Sequence, residues 1–137
     1  MTDPELIEKK LAEIETHVRE LRTLAIPSRI RQDIKEERFV THTLQLAVQA
    51  ALDAASHVVS DERLGEPRTY RELFTLLERA GWLEGDLTDR LRQMAGFRNV
   101  LVHGYAGVDL DVVEEILTER LEDLLEFAAS VRARLDV

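Results

Sequence analysis

The 137-residue chain contains no cysteine, three prolines, six glycines and seven aromatic residues of the Phe, Trp and Tyr kinds. Without thiols there can be no disulfide framework, thiolate metal site or cysteine nucleophile. So few glycines and prolines argue against collagen, disorder or a turn-rich β-sandwich. No run approaches the ~18 apolar residues of a membrane span. The opening Met1-Thr2-Asp3-Pro4-Glu5 lacks the basic-then-apolar order of a signal peptide, so a cytoplasmic protein without membrane association is expected. Positive charge is scarce as well. Eighteen Lys and Arg face 27 Asp and Glu, a net of −9, which disfavours broad binding along a phosphate backbone and confines any nucleic-acid contact to a local patch. The deficit is steepest after residue 105, where 3 basic residues face 9 acidic ones, against 15 and 18 before it. That acidic end reads as a solvated helix face or a partner's docking surface.

What is present is a soluble, helical composition of single-domain size, with 45% hydrophobic and 33% charged residues, so residues 1–137 are expected to form one domain. From Asp3 to Ala25, Ile7, Leu11, Ile14, Val18, Leu21 and Ala25 recur at steps of four and three, the period of a helix with one narrow apolar stripe. Pro27 interrupts it. A second helix is expected from about Ser28 to Ser60, with an alanine-rich centre that lets neighbours approach closely. Thr69 and Glu72 form a capping box for a third helix, Tyr70 to Ala80, which Gly81 ends. Asp86 is expected to cap a fourth helix with stripe Leu87, Leu91, Met94, Arg98, Leu101 and Tyr105, and Gly104 to stop it. Asp111 with Glu114 is expected to open a fifth, carrying Val113, Ile116/Leu117, Leu121, Leu124, Ala128, Val131 and Leu135. No useful length alternates with period two. The fold class is therefore all-α, a five-helix antiparallel bundle.

One residue breaks the pattern. Arg98 occupies a stripe position where packing alone would place Leu or Ile, and burying an unpaired guanidinium is costly. Either a carboxylate pairs with it, or the stripe faces a cleft or an oligomer interface there. Its surroundings read Phe97-Arg98-Asn99-Val100-Leu101-Val102-His103-Gly104-Tyr105.

Arg98, four residues, His103, one residue and Tyr105 resembles the R-x4-H-x-Y motif of HEPN-superfamily ribonucleases, more closely the HepT-like toxin branch of toxin–antitoxin pairs. Glu37-Arg38, Leu44-Gln45-Leu46-Ala47 to Asp53, Tyr70-Arg71-Glu72-Leu73-Phe74, Met94-Ala95-Gly96-Phe97-Arg98-Asn99 and Asp109 extend the resemblance over roughly residues 30 to 127. It implies a HEPN-type dimeric bundle and a metal-independent endoribonuclease whose paired Arg and His residues share a cleft, with no cofactor. It also implies a type VII-like toxin neutralised by an MntA-type minimal nucleotidyltransferase antitoxin. That antitoxin would add AMP to the motif tyrosine, Tyr105, which otherwise reads as a core aromatic with a wet hydroxyl.

The residue types suit that chemistry. Cleavage of RNA by its own 2′-hydroxyl needs a proton acceptor, a donor to the leaving 5′-oxygen and a cation for charge developing at phosphorus. His103 can move the protons and Arg98 can bind the phosphate. Five positions of a straight helix separate Arg98 and His103 by roughly 140° and about 7.5 Å. A composite site across a two-fold axis, or a loosening at Gly104, would bring them together. Asn99, four residues before His103, is a candidate orienter of the imidazole or phosphate.

On the second helix Arg38, His42, Gln45, Gln49, Asp53 and Ser56 form a polar ridge. It reads as a solvated face, or as a lining of the cleft or dimer seam in which Arg38, Gln45, Gln49 and Asp53 take part and Asp53 or Glu37 partners Arg98. His17, His42 and His57 have no metal-ligand spacing and read as surface or packing residues. A different class of function stays open: a non-catalytic HEPN helical module that positions substrate for a nucleotidyltransferase, a reading the net negative charge favours.

Overall fold

In the computed structural model, residues 3–102 and 109–136 are described. Helix α1 (Pro4–Leu24) begins where the Asp3 carboxylate accepts the Leu6 N–H at 3.2 Å and Pro4 supplies a preset helical φ. Its stripe of Ile7, Leu11, Ile14, Val18 and Leu21 is buried, as the spacing predicts. A short 3₁₀ turn, Pro27–Arg29, follows. The second helix therefore does not start near Ser28: α2 (Ile34–Asp61) starts after Asp33, whose side chain accepts the Lys35 N–H at 2.9 Å. Proline opened a turn there, and the next carboxylate cap set the helix. Ala47, Ala50, Ala51, Ala54 and Ala55 are buried along α2, which makes it the central rod, packed by α1, α3, α4 and α6.

Helix α3 (Tyr70–Arg79) follows the expected Thr69 cap, with the Glu72 N–H donating to Thr69 Oγ1 at 3.2 Å. Glu72 returns its carboxylate to the Arg68 N–H at 2.6 Å, one residue beyond a standard capping box. Gly81, with φ +84°, ends α3 in the left-handed region that side chains resist, and the Trp82 N–H donates back to Leu77 O at 2.9 Å. Helix α4 (Gly85–Val102) starts one residue ahead of the expected Asp86 cap. The Thr88 N–H donates to Glu84 O at 2.9 Å, and Asp86 lies in the first turn, where a negative charge suits the helix dipole.

The fifth rod is capped by Asp109, not Asp111. The Asp109 side chain accepts the N–H groups of Asp111 and Val112 at 3.0 and 3.4 Å, leaving Asp111 free to bind Arg31. The rod runs as α5 (Leu110–Glu115), a π turn (Ile116–Arg120) and α6 (Leu121–Leu135). One continuous apolar core joins all five rods. Phe74 of α3 meets Phe127 of α6 edge to face at 5.8 Å, and Arg132 of α6 binds Glu8 and Glu15 of α1. Among the described residues there is no strand, and no helix long and apolar enough to cross a membrane.

Candidate active site

Leu87, Leu91, Met94 and Leu101 are buried on α4, and Arg98 sits among them only half-buried. Among the described residues the guanidinium has no carboxylate partner. Its Nε donates to Gln49 Oε1 of α2 at 2.9 Å, and Gln49 Nε2 donates in turn to Asp53 Oδ1 at 2.9 Å. The polarity of this relay is forced: a guanidinium only donates and a carboxylate only accepts, so the Gln49 amide must present oxygen to Arg98 and nitrogen to Asp53. Asp53 Oδ2 lies 3.8 Å from Lys10 Nζ of α1, which also pairs with Glu13 at 3.4 Å. The alternative in which Asp53 or Glu37 partners Arg98 is thus corrected among the described residues: Gln49 does, with Asp53 one hydrogen bond behind. A neutral amide locates the guanidinium without neutralising it.

Its other contact comes from α3. The Tyr70 ring lies under the guanidinium, with Cζ 4.7 Å from the ring centroid. One nitrogen and one face of Arg98 are therefore occupied, while the two terminal nitrogens have no partner among the described residues. Those are the nitrogens that grip a phosphate bidentately. Asn99 is exposed on the next position of α4. His103, Gly104 and Tyr105 lie outside the described residues.

The ridge on α2 divides. Gln49 and Asp53 join Arg98, whereas Arg38 and Gln45 line an open groove of about 830 Å³ nearer the start of α2, together with Glu37 and His42. His17 bonds Glu20 at 3.1 Å, and no group of three or more His, Asp and Glu among the described residues could hold a metal ion. Tyr70 was not legible as a site residue. It precedes Leu73, Phe74 and Leu77 at helical spacing and so reads as core, yet it is 40% exposed. A second feature sits beside it: Arg71 Nη2 lies 2.5 Å from where a Cβ on Gly96 would stand, so the glycine two residues before Arg98 is what lets Arg71 lie across α4.

With this arrangement in view, the comparisons with known proteins are specific. Residues 7–131 match the family model described as ribonuclease HepT-like. A curated relative, the mRNA nuclease HepT of Shewanella oneidensis, is 34% identical over 106 residues, covering 77% of this chain and 80% of that protein. A solved structure of a tri-AMPylated Shewanella oneidensis HEPN toxin in complex with MNT antitoxin superposes with a TM-score of 0.84 at 31% identity, covering 97% of this chain and 99% of that one. Another, a toxin–antitoxin complex with AMP-PNP, gives 0.86 at 30% identity, covering 94% and 98%. The R-x4-H-x-Y motif, the five-rod bundle and these similarities agree, and the chain belongs to the HepT-like ribonuclease family.

Proposed function

We propose that this chain is a metal-independent endoribonuclease, the toxin of a type VII-like toxin–antitoxin pair, acting as a homodimer in the cytoplasm and silenced by an MntA-type nucleotidyltransferase. The observation that carries the reading is Arg98, located by Gln49 and Tyr70, with neither a partner for its two terminal nitrogens nor a carboxylate for its charge among the described residues. A half-buried cation held by a neutral amide is costly as architecture and useful for an incoming phosphate.

In the proposed reaction Arg98 binds the non-bridging oxygens of the scissile phosphate. The 2′-hydroxyl loses its proton and attacks phosphorus, the bond to the 5′-oxygen breaks, and that oxygen takes up a proton. His103 serves the proton transfers, and the His103 of one protomer works with the Arg98 of the other across the two-fold axis. Asn99 orients the imidazole or the phosphate. The antitoxin transfers AMP from ATP to the Tyr105 hydroxyl, releasing pyrophosphate, and the added bulk and negative charge on the motif that carries Arg98 and His103 obstruct RNA.

Total cellular RNA incubated with purified protein in EDTA tests this beside His103→Ala. Cleavage by the parent protein alone is the expected result. Intact RNA after treatment with folded parent protein, shown by mass spectrometry to be unmodified at Tyr105, would transfer the reading to the non-catalytic partner module that the net charge of −9 favours. The acceptor is tested separately with labelled ATP and the antitoxin: Tyr105→Phe should take up no label.

A further inference from the structure

The junction between α2 and α3 holds a pocket that the cleavage reading leaves unused. It encloses about 270 Å³ and is lined by Ser56 of α2, by Pro67, Arg68 and Thr69 of the connection, and by Tyr70 and Leu73 of α3. Tyr70 belongs to both places, since it lines the pocket and also carries the Arg98 guanidinium. A group in this pocket and the Arg98 guanidinium therefore share Tyr70 as a neighbour.

The charge pattern nearby is unusual for so acidic a chain. Arg22, Arg31, Arg90, Arg92, Arg120 and Arg132 are each held by a carboxylate. Arg68 and Arg71, which flank Tyr70, make no side-chain ion pair or hydrogen bond among the described residues, and both are exposed. Other arginines are unpaired among the described residues too, but these two adjoin in sequence the exposed Tyr70, which lines the pocket and carries Arg98. The nearest carboxylate along the helix, Glu72, is already engaged by the Arg68 backbone N–H at 2.6 Å. Thr69 and Ser56 add hydroxyls that can both donate and accept.

Resting on the ribonuclease reading, we propose that this pocket is a nucleotide subsite of the enzyme: it receives the base next to the scissile phosphate of a single-stranded RNA. Tyr70 stacks on that base, Arg68 meets the adjoining phosphate, and the hydroxyls of Ser56 and Thr69 face the base edge. An aromatic platform beside unpaired arginines is the general means of holding single-stranded nucleic acid, and stacking tolerates any base because each has a π-face. The volume suits one base rather than a drug-sized ligand. Local binding of this kind also reconciles RNA as substrate with a net charge of −9, since only a few phosphates need be met.

The test uses full-length His103→Ala protein, which holds RNA without cutting it, and a labelled single-stranded oligonucleotide followed by fluorescence anisotropy. Removing one base at a time from the oligonucleotide should reveal a single position, next to the cut made by the parent enzyme, where affinity falls about 5- to 150-fold. At that position Tyr70→Leu should cause no further loss, although it weakens binding of the intact oligonucleotide by a similar factor. Arg68→Ala should lower the salt slope of binding by about one. The base-removal series needs no altered pocket, so a folding defect in Tyr70→Leu cannot decide the outcome. Cleavage by the parent with every base dispensable, or losses from base removal and Tyr70→Leu that simply multiply, would overturn the subsite and leave the ribonuclease intact. Failure of the parent to cut or bind any RNA would overturn both.

Discussion

Gln49 is the side chain through which the architecture acts on Arg98. It touches no reacting atom, so it is a positioning residue, and its loss should be read through the arginine. Hydrogen bonds to charged groups contribute about 1.5–3 kcal/mol. Gln49→Leu should accordingly lower RNA affinity and cleavage about 10- to 100-fold while changing the melting temperature little. The decisive comparison is made in the Arg98→Ala background, where Gln49→Leu should have no further effect on RNA affinity; an equal loss there would mean Gln49 acts elsewhere. At this scale the sequence was partly legible. Arg98 stood out because it interrupts an apolar stripe, and Gln49 and Asp53 because they share a ridge. The order of the relay was not readable, because Gln49 and Asp53 are one turn apart and either could reach α4. Only the three-dimensional contacts of α2 with α4 choose between them.

At the scale of elements, the rods were legible from apolar periodicity and the caps were less so. Asp109 displaced Asp111 as the cap of α5 because several acidic residues stand near that start, and any of them can accept a backbone N–H. The π turn at Ile116–Arg120 leaves no mark in the sequence, since a step of four followed by a step of four, Val113 to Leu117 to Leu121, still reads as helix. Just beyond it, Asp123 is buried at 3% exposure and binds Arg90 of α4, with Arg120 at 3.8 Å. Glu126 and then Asp123 hold the Arg90 guanidinium above its usual range of ionisation. Asp123→Ala removes the buried end of this bracket between α4 and α6 and leaves Arg90 with Glu126 alone. A loss of about 1–3 kcal/mol in unfolding free energy is expected from urea titration, and a neutral result would show the bracket to be dispensable.

For the molecule as a whole, closure depends on the seam between the first and last rods. Glu15 accepts hydrogen bonds from both terminal nitrogens of Arg132, at 3.0 and 2.9 Å, and Glu8 is held by the same guanidinium. The hydrogen bond from Arg132 is the main cause that holds the Glu15 carboxyl below its ordinary value of 4.5, against an opposing effect of burial. The unfolded chain therefore binds this proton first as pH falls. The stabilisation is complete above about pH 4.5 and disappears as pH drops through the lower folded-state value. Glu15→Gln should cost less than about 1 kcal/mol at pH 7, since the pair is partly exposed, and the gap from the parent should narrow at pH 3. Thermal unfolding at the two pH values checks this, and a gap that widens in acid would contradict it. The same seam bears on how the protein is made. Arg132 bonds side chains 117 and 124 positions earlier in the chain. At a synthesis rate of about 5–20 residues per second, α1 waits roughly 6–25 s for its partner to be added. In that interval α2 can already cover part of the α1 stripe, but α6 cannot, so the nascent chain remains open along one side until the final rod leaves the ribosome.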